Sequence, residues 1–155
     1  MDAVYRLSLA ILGDEADARD AAQETFISAW HQIGRVRDAD RFDAWLQRVA
    51  INAARMTHRA RRRRGVKEIA VSHLPGVPDL PISTSAAQAD ARVLDVALGR
   101  LDVDQRSILV LHHLEGRSLA DLAEILGIPV GTVKSRLHTA RRALQAAIDT
   151  ATLDR

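Results

Sequence analysis

Residues 118–144 read SLADLAEILGIPVGTVKSRLHTARRAL, and their spacing predicts a helix-turn-helix. With Leu119 as the first position, Ala123 is fifth, Gly127 ninth and Val133 fifteenth. A small alanine lets two helices approach. Gly127 can take the positive φ that ends the first helix and turns the chain. Val133 plugs the angle between the helices, and Ser118 followed by Asp121 has the form of an N-cap with an acidic N3 residue. The second helix is expected from about Val130 to Ala147, with Val133, Leu137, Ala140 and Leu144 at steps of four, three and four as its buried stripe. Thr132, Lys134, Ser135, Arg136, His138, Thr139, Arg141 and Arg142 lie outside that stripe, and no acid interrupts the cations from Val130 to Leu144. Such a helix suits a DNA major groove. The plain alternative is a solvated amphipathic helix in an all-α bundle. Turn, cap, plug and charge agree against it.

Upstream, Asp102 with Gln105 resembles a capping box. It opens a helix whose Ile108, Leu111 and Leu114 are expected to face inward and which Gly116 stops. A further helix begins near Ala87 and packs through Ala91, Leu94, Ala97, Leu98 and Leu101. Gly65 to Ala86 has no helical period and carries Pro75, Gly76, Pro78 and Pro81, so it reads as a linker. Such a segment can stretch to about 70 Å.

Before the linker, Val4, Leu7, Ala10 and Ile11 form a short helix stopped by Gly13. Asp14 can cap the next helix, whose apolar positions are Ala18, Ala21, Ala22, Phe26, Ala29, Trp30 and Ile33. A loop follows, and a long helix starts near Asp40 with Phe42, Trp45, Leu46, Val49, Ala50 and Ala53 as its buried stripe, fading into Arg61–Arg64. Phe26, Trp30, Phe42 and Trp45 all sit on apolar stripes and read as core rather than as stacking platforms for bases. The expected fold class is all-α, with two small helical domains (residues 1–64 and 87–155) joined by a flexible linker (65–86).

Charge is sorted along the chain. Met1–Trp30 holds two arginines against six acids, a net −4, whereas His31–Arg64 holds ten arginines against three aspartates, a net +7. A basic stripe points to a polyanion, and the adjacent acidic surface to a protein partner. Along the long helix, Arg41, Arg48, Asn52, Arg55, Arg59 and Arg62 recur at steps of seven, four, three, four and three, and so share one face. Guanidinium groups there can neutralise phosphates while the Asn52 amide meets a base edge. A solvated surface face is the simpler reading of that helix alone; a second DNA-binding module in the chain weighs against it.

The sequence has no cysteine, which excludes disulfides and thiolate metal sites and fits a reducing cytoplasm. No signal peptide and no uncharged run of membrane-spanning length are seen. No cofactor is expected.

DARDAAQETFISAW (residues 17–30) followed by RFDAWLQRVAINAAR (41–55) resembles region 2 of the extracytoplasmic-function sigma factors of bacterial RNA polymerase. LDVDQRSILVLHHLEGRSLADLAEILGIPVGTVKSRLHTARRAL (101–144) resembles region 4 of the same family. The resemblance implies a bacterial transcription initiation factor without enzymatic activity, cytoplasmic and nucleoid-associated. It implies docking on the clamp and flap of core RNA polymerase, with Asp20, Gln23, Glu24, Ile27 and His31 on the clamp. It assigns capture of the melted −10 promoter element to Arg35, Arg37, Arg41, Arg48, Asn52, Arg55 and Arg59. It assigns reading of the double-stranded −35 element to Thr132, Lys134, Ser135, Arg136, His138, Thr139, Arg141 and Arg142. An anti-sigma factor is a further implied partner. Two departures stand out. Relatives usually carry another half-helix before the equivalent of Tyr5, which implies an upstream start or a shortened region 2. Thr139 stands where many relatives have arginine, so −35 specificity need not follow theirs.

Two rival readings are disfavoured and a third stays open. A response-regulator type of helix-turn-helix often has histidine two residues after its TVK, where Arg136 stands here, and an α/β receiver domain is missing. A metal-dependent nuclease would draw on Asp14, Glu15, Asp17 and Asp20 or on His112 and His113, but adjacent residues do not share a helix face and the carboxylates suit a helix N-terminus. A sigma decoy would bind polymerase without initiating.

Overall fold

A computed structural model describes residues 2–65 and 85–153, which form helices and turns; most of the expected linker lies outside the described residues. The first helix, α1 (Asp2–Leu12), ends at Gly13, whose φ of 72° returns the chain, and Asp14 starts α2 (Glu15–Gln32) by accepting a hydrogen bond from the Asp17 amide at 2.9 Å. After a short loop, one tight turn at Ala39–Arg41 leads into α3 (Phe42–Arg63).

The inward positions of α2 are small: Ala18, Ala21, Ala22, Thr25 and Ala29 are buried, and the Thr25 hydroxyl donates to the Ala21 carbonyl at 2.6 Å. Small residues let α2 sit close to its neighbours and leave little room for bulk. The expectation that Trp30 is core is therefore overturned, since it is 79% exposed, and Ile33 and Phe42 are also exposed. Phe42 stays tied to Trp45, with ring centroids 5.5 Å apart. In α3, Ile51 and Ala54 are fully buried although they lie beside the expected stripe. Arg61 turns back to Asp14 and Asp17, with a closest approach of 2.5 Å to Asp17, and so ties the end of α3 to the start of α2.

The second module comprises α4 (Ser85–Gly99), α5 (Val103–Leu109), α6 (Leu119–Leu126) and α7 (Val130–Leu153). Both capping boxes form: the Asp102 carboxylate accepts from the Gln105 amide at 2.8 Å, and the Ser118 hydroxyl from the Asp121 amide at 3.1 Å. Helix α5 continues as one π-turn at Val110–Leu114, closed by the Glu115 amide on the Val110 carbonyl at 3.0 Å. The wider turn moves the register, so Ile108 and Leu111 face inward as expected while Leu114 is exposed. Ala91, expected to pack, is exposed as well. Gly127 has φ 67° and ends α6. Helix α7 runs one and a half turns beyond its expected end because Ala147 and Ala151 extend the buried stripe against α4.

The two modules share one core. A single apolar cluster contains Leu7, Ala10, Ile51 and Ala54 from the first and Ile108, Leu111, Leu122, Ile125 and Val133 from the second. Buried Arg106 of α5 donates through Nε to the Ala10 carbonyl at 2.6 Å, at the C-terminal end of α1, where a helix favours a cation. A Cβ at Gly13 would lie 2.9 Å from its guanidinium, so glycine serves there both as turn and as clearance.

Candidate nucleic-acid interface

On α7, Val133, Leu137 and Ala140 are buried and fix which side faces out. Lys134, Ser135, Arg136, His138, Thr139, Arg141 and Arg142 are exposed and Thr132 is half-buried, so the residues expected to read DNA come together on one helix. Arg141 is directed aside, donating to His113 Nε2 at 3.4 Å. Partial desolvation, with His112 and Arg141 nearby, holds the His113 imidazole below its ordinary pKa. His112 Nδ1 lies 2.8 Å from the Arg117 carbonyl. The histidine pair thus serves the turn into α6, and among the described residues no group of three His, Cys, Asp or Glu side chains could hold a metal. At the start of α6, the Ser118 hydroxyl and amide hold the Asp121 carboxyl below its usual value.

The cationic face of α3 is differently disposed. Asn52, Arg59 and Arg62 are exposed, as are Arg35 and Arg37 in the preceding loop. Arg41 pairs with Glu124 of α6 at 2.7 Å, and Arg55 with Asp104 of α5 at 2.6 Å. Arg48 donates through Nε to the Ile125 carbonyl at 3.1 Å and through Nη2 to the Glu124 carbonyl. Beside them opens a cavity of about 360 Å³, walled by Arg35, Arg37, Arg41 and Arg48, with Trp45 and Ala44 as apolar lining and Glu124 at its edge. Arginines around an indole can take a base together with its phosphate. Across the same seam, Arg117 pairs with Asp43. The acids that meet this face, Glu124 and Asp104, were not legible in the sequence: they stand 83 and 49 residues from their arginines, beyond any local periodicity.

The outer face of α2 forms a third surface. Asp20, Gln23, Glu24, Ile27 and His31 are all exposed on it, and Trp30 and Ile33, though on the apolar stripe, add exposed apolar area. An exposed tryptophan with isoleucines and a rim of acids has the make-up of a protein-binding patch. Among the described residues no helix is long and apolar enough to cross a membrane.

Residues 1–64 match the family model for Sigma-70 region 2, and residues 91–144 that for Sigma-70, region 4. The chain is 36% identical over 148 residues to the ECF RNA polymerase sigma factor SigL of Mycobacterium tuberculosis, covering 94% of this chain and 82% of that one. It is 31% identical over 153 residues to the ECF RNA polymerase sigma factor SigW of Bacillus subtilis, covering 93% and 82%. Among solved structures, it is similar to the sigma factor RpoE in complex with the anti-sigma factor NepR from Bartonella quintana, with a TM-score of 0.73 at 27% identity over 96% of this chain and 91% of that one. It is also similar to CnrH in complex with the cytosolic domain of CnrY, with a TM-score of 0.66 at 29% identity over 96% and 82%.

Proposed function

The chain belongs to the extracytoplasmic-function sigma factors of the sigma-70 family, a family of transcription initiation factors, and from that membership we propose how its surfaces divide the work. Residues 1–64 act as the polymerase-docking and −10 module and residues 87–155 as the −35 module. The outer face of α2, through Asp20, Gln23, Glu24, Ile27 and His31 with Trp30 at its centre, docks on the polymerase clamp, and the second module meets the flap. Arg35, Arg37 and the cationic face of α3 hold the displaced −10 strand, with the arginine-lined cavity over Trp45 taking an unstacked base. Unstacking costs a few kcal/mol per base, and phosphate contacts from Arg41, Arg48, Arg55 and Arg59 offset it. The exposed side of α7 reads the −35 element. Thr139, shorter than arginine and uncharged, leaves Arg136 and Arg142 as its longest candidates for base edges.

Neither module needs to bind strongly alone. Once polymerase holds both, the second contact becomes intramolecular. The chain performs no covalent chemistry; it positions DNA for the polymerase in the nucleoid. An anti-sigma factor is the expected regulatory partner, as in the two similar complexes.

The observation that carries this reading is the pairing of two cationic helical faces with a separate acidic and apolar docking face in one chain. Run-off transcription with bacterial core polymerase tests it: the chain should direct initiation from its promoter, and replacing either hexamer should abolish the transcript. A transcript insensitive to both hexamers would sink the reading. Binding of the promoter without polymerase would favour an ordinary helix-turn-helix regulator instead.

A further inference from the structure

Resting on the sigma reading, we propose that Met56 determines specificity at the −10 element: its side chain reads the 5-methyl group of a thymine in the major groove, at the end of the element remote from the Trp45 cavity. The starting observation is a misfit. Several of the large apolar side chains exposed among the described residues are explained by where they stand. Ile27, Trp30 and Ile33 lie on the docking face, Phe42 packs on Trp45, and the π-turn displaces Leu114. Met56 belongs to none of these settings. It is 62% exposed in the middle of the cationic face of α3.

Its neighbours define what it can meet. Asn52, Met56, Arg59 and Arg63 follow at steps of four, three and four, so they stand in one line along the helix, and all four are exposed. Arg55 Nη1 donates to Asn52 Oδ1 at 3.5 Å, and the NH2 group of that amide stays available to a base edge. On DNA, guanidinium groups such as those of Arg59 and Arg63 take phosphates, while an amide such as that of Asn52 takes a base. A thioether can do neither. The apolar group that a base pair displays in the major groove is the thymine 5-methyl. An unbranched methionine side chain adapts to such a small, irregular target. An idle surface methionine would be indifferent to the base opposite it.

Place along the helix fixes which end of the element is read. Met56 lies eleven residues after Trp45. That is about 16 Å at the helical rise, or about five base steps. A base held at Trp45 and a thymine read by Met56 therefore stand near opposite ends of a hexamer. At the Met56 end, the exposed Arg59, Arg62 and Arg63 suit the phosphates of a paired duplex, which carry no sequence information. Met56 adds the discrimination those arginines lack. The rise from Asn52 to Met56 is about 6 Å, which places the thymine within about two base pairs of the base that Asn52 meets.

The test uses the full chain bound to bacterial core polymerase and a pool of DNA duplexes randomised across both promoter hexamers. Sequences retained by this holoenzyme are read by sequencing, and the parent chain should enrich a thymine near one end of the −10 hexamer. The enriched duplex is then made again with uracil in place of that thymine, which removes the methyl group alone. Loss of one methyl contact should weaken binding of the parent about fourfold. Met56→Ala should bind the thymine and uracil duplexes alike. Met56→Lys should also bind the two alike, while its added cation makes the salt dependence steeper by about 0.9. Each comparison sets two duplexes against one protein, so a smaller folded fraction in a variant cancels from the ratio. The proposal is overturned if the parent binds uracil and thymine duplexes equally, or if Met56→Ala or Met56→Lys keeps the parent's preference. A pool in which the parent enriches no sequence at all sinks the sigma reading itself. Enrichment of a promoter sequence without a methyl preference owed to residue 56 leaves that reading standing and removes Met56 from it.

Discussion

The chain carries two cationic helical faces of similar charge, and the fold treats them differently. On α7 the cations point outward, with Arg136 and Arg142 exposed and, among the described residues, Arg141 alone leaning on a neighbour, His113. On α3, Arg41, Arg48 and Arg55 are each met by oxygen from the second module. Charge and spacing are thus enough to mark a surface as fit for a polyanion, but not enough to say whether it is free. An acid far along the sequence can claim it.

The largest expected effects bear on the seam that makes the difference. Ile51 is buried on the α3 side facing the shared core. Ile51→Ala should destabilise the chain by about 2–5 kcal/mol in urea denaturation, with helix loss in both modules moving together. A shift confined to the first module would break the picture of one core. Trp30→Ala, at the exposed centre of α2, should leave that denaturation midpoint within about 0.5 kcal/mol of wild type. The same change should weaken binding of core polymerase by about 2 kcal/mol or more. Loss of stability with unchanged polymerase binding would return Trp30 to the core role expected from its stripe.

On the free face, Arg136→Ala should lower affinity for the −35 element by about 1–3 kcal/mol if it meets a base edge. A uniform loss across unrelated sequences, read by anisotropy titration, would make it a phosphate contact. Ser118→Ala should cost about 1 kcal/mol through the lost cap of α6. Because α6 supplies the carbonyls that hold Arg48, it should also loosen the α3 seam in amide exchange; exchange unchanged at Arg48 would uncouple the two.

The smallest effect is acidic. The Asp17 amide, with Arg61 nearby, holds the Asp14 carboxyl below its ordinary value. Its folded pKa lies under the unfolded one, so its contribution is complete above about pH 4. That contribution is lost as pH falls through the lowered value. Acid unfolding of Asp14→Asn should accordingly be shallower below pH of about 4; identical acid limbs would show that the Asp14 cap does not matter to stability.

Much of the architecture was written locally. Gly13 and Gly127, the caps at Asp14, Asp102 and Ser118, and the stripe from Val133 to Ala140 all act within a turn or two, and each formed as its spacing implied. The residues that depart from their period share a cause. Trp30 belonged to an apolar stripe, but the alanines of α2 packed too closely to leave room for it. Leu114 was displaced by a π-turn, which no simple period anticipates. Ile51 and Ala54 lie beside the local period because the cluster they join includes residues more than fifty positions later. On the candidate sites, the exposure of the α7 residues follows from their period and the α2 residues come from the family resemblance, whereas Glu124 and Asp104 are invisible from the α3 side.

By itself the sequence determined helices, their ends and their polarity, because capping, glycine conformation and amphipathic period are set by residues a few positions apart. Tertiary structure alone decided which cations face solvent and which are held by acids and helix-end carbonyls. Those partners are brought together only when a shared apolar core closes two distant segments on each other.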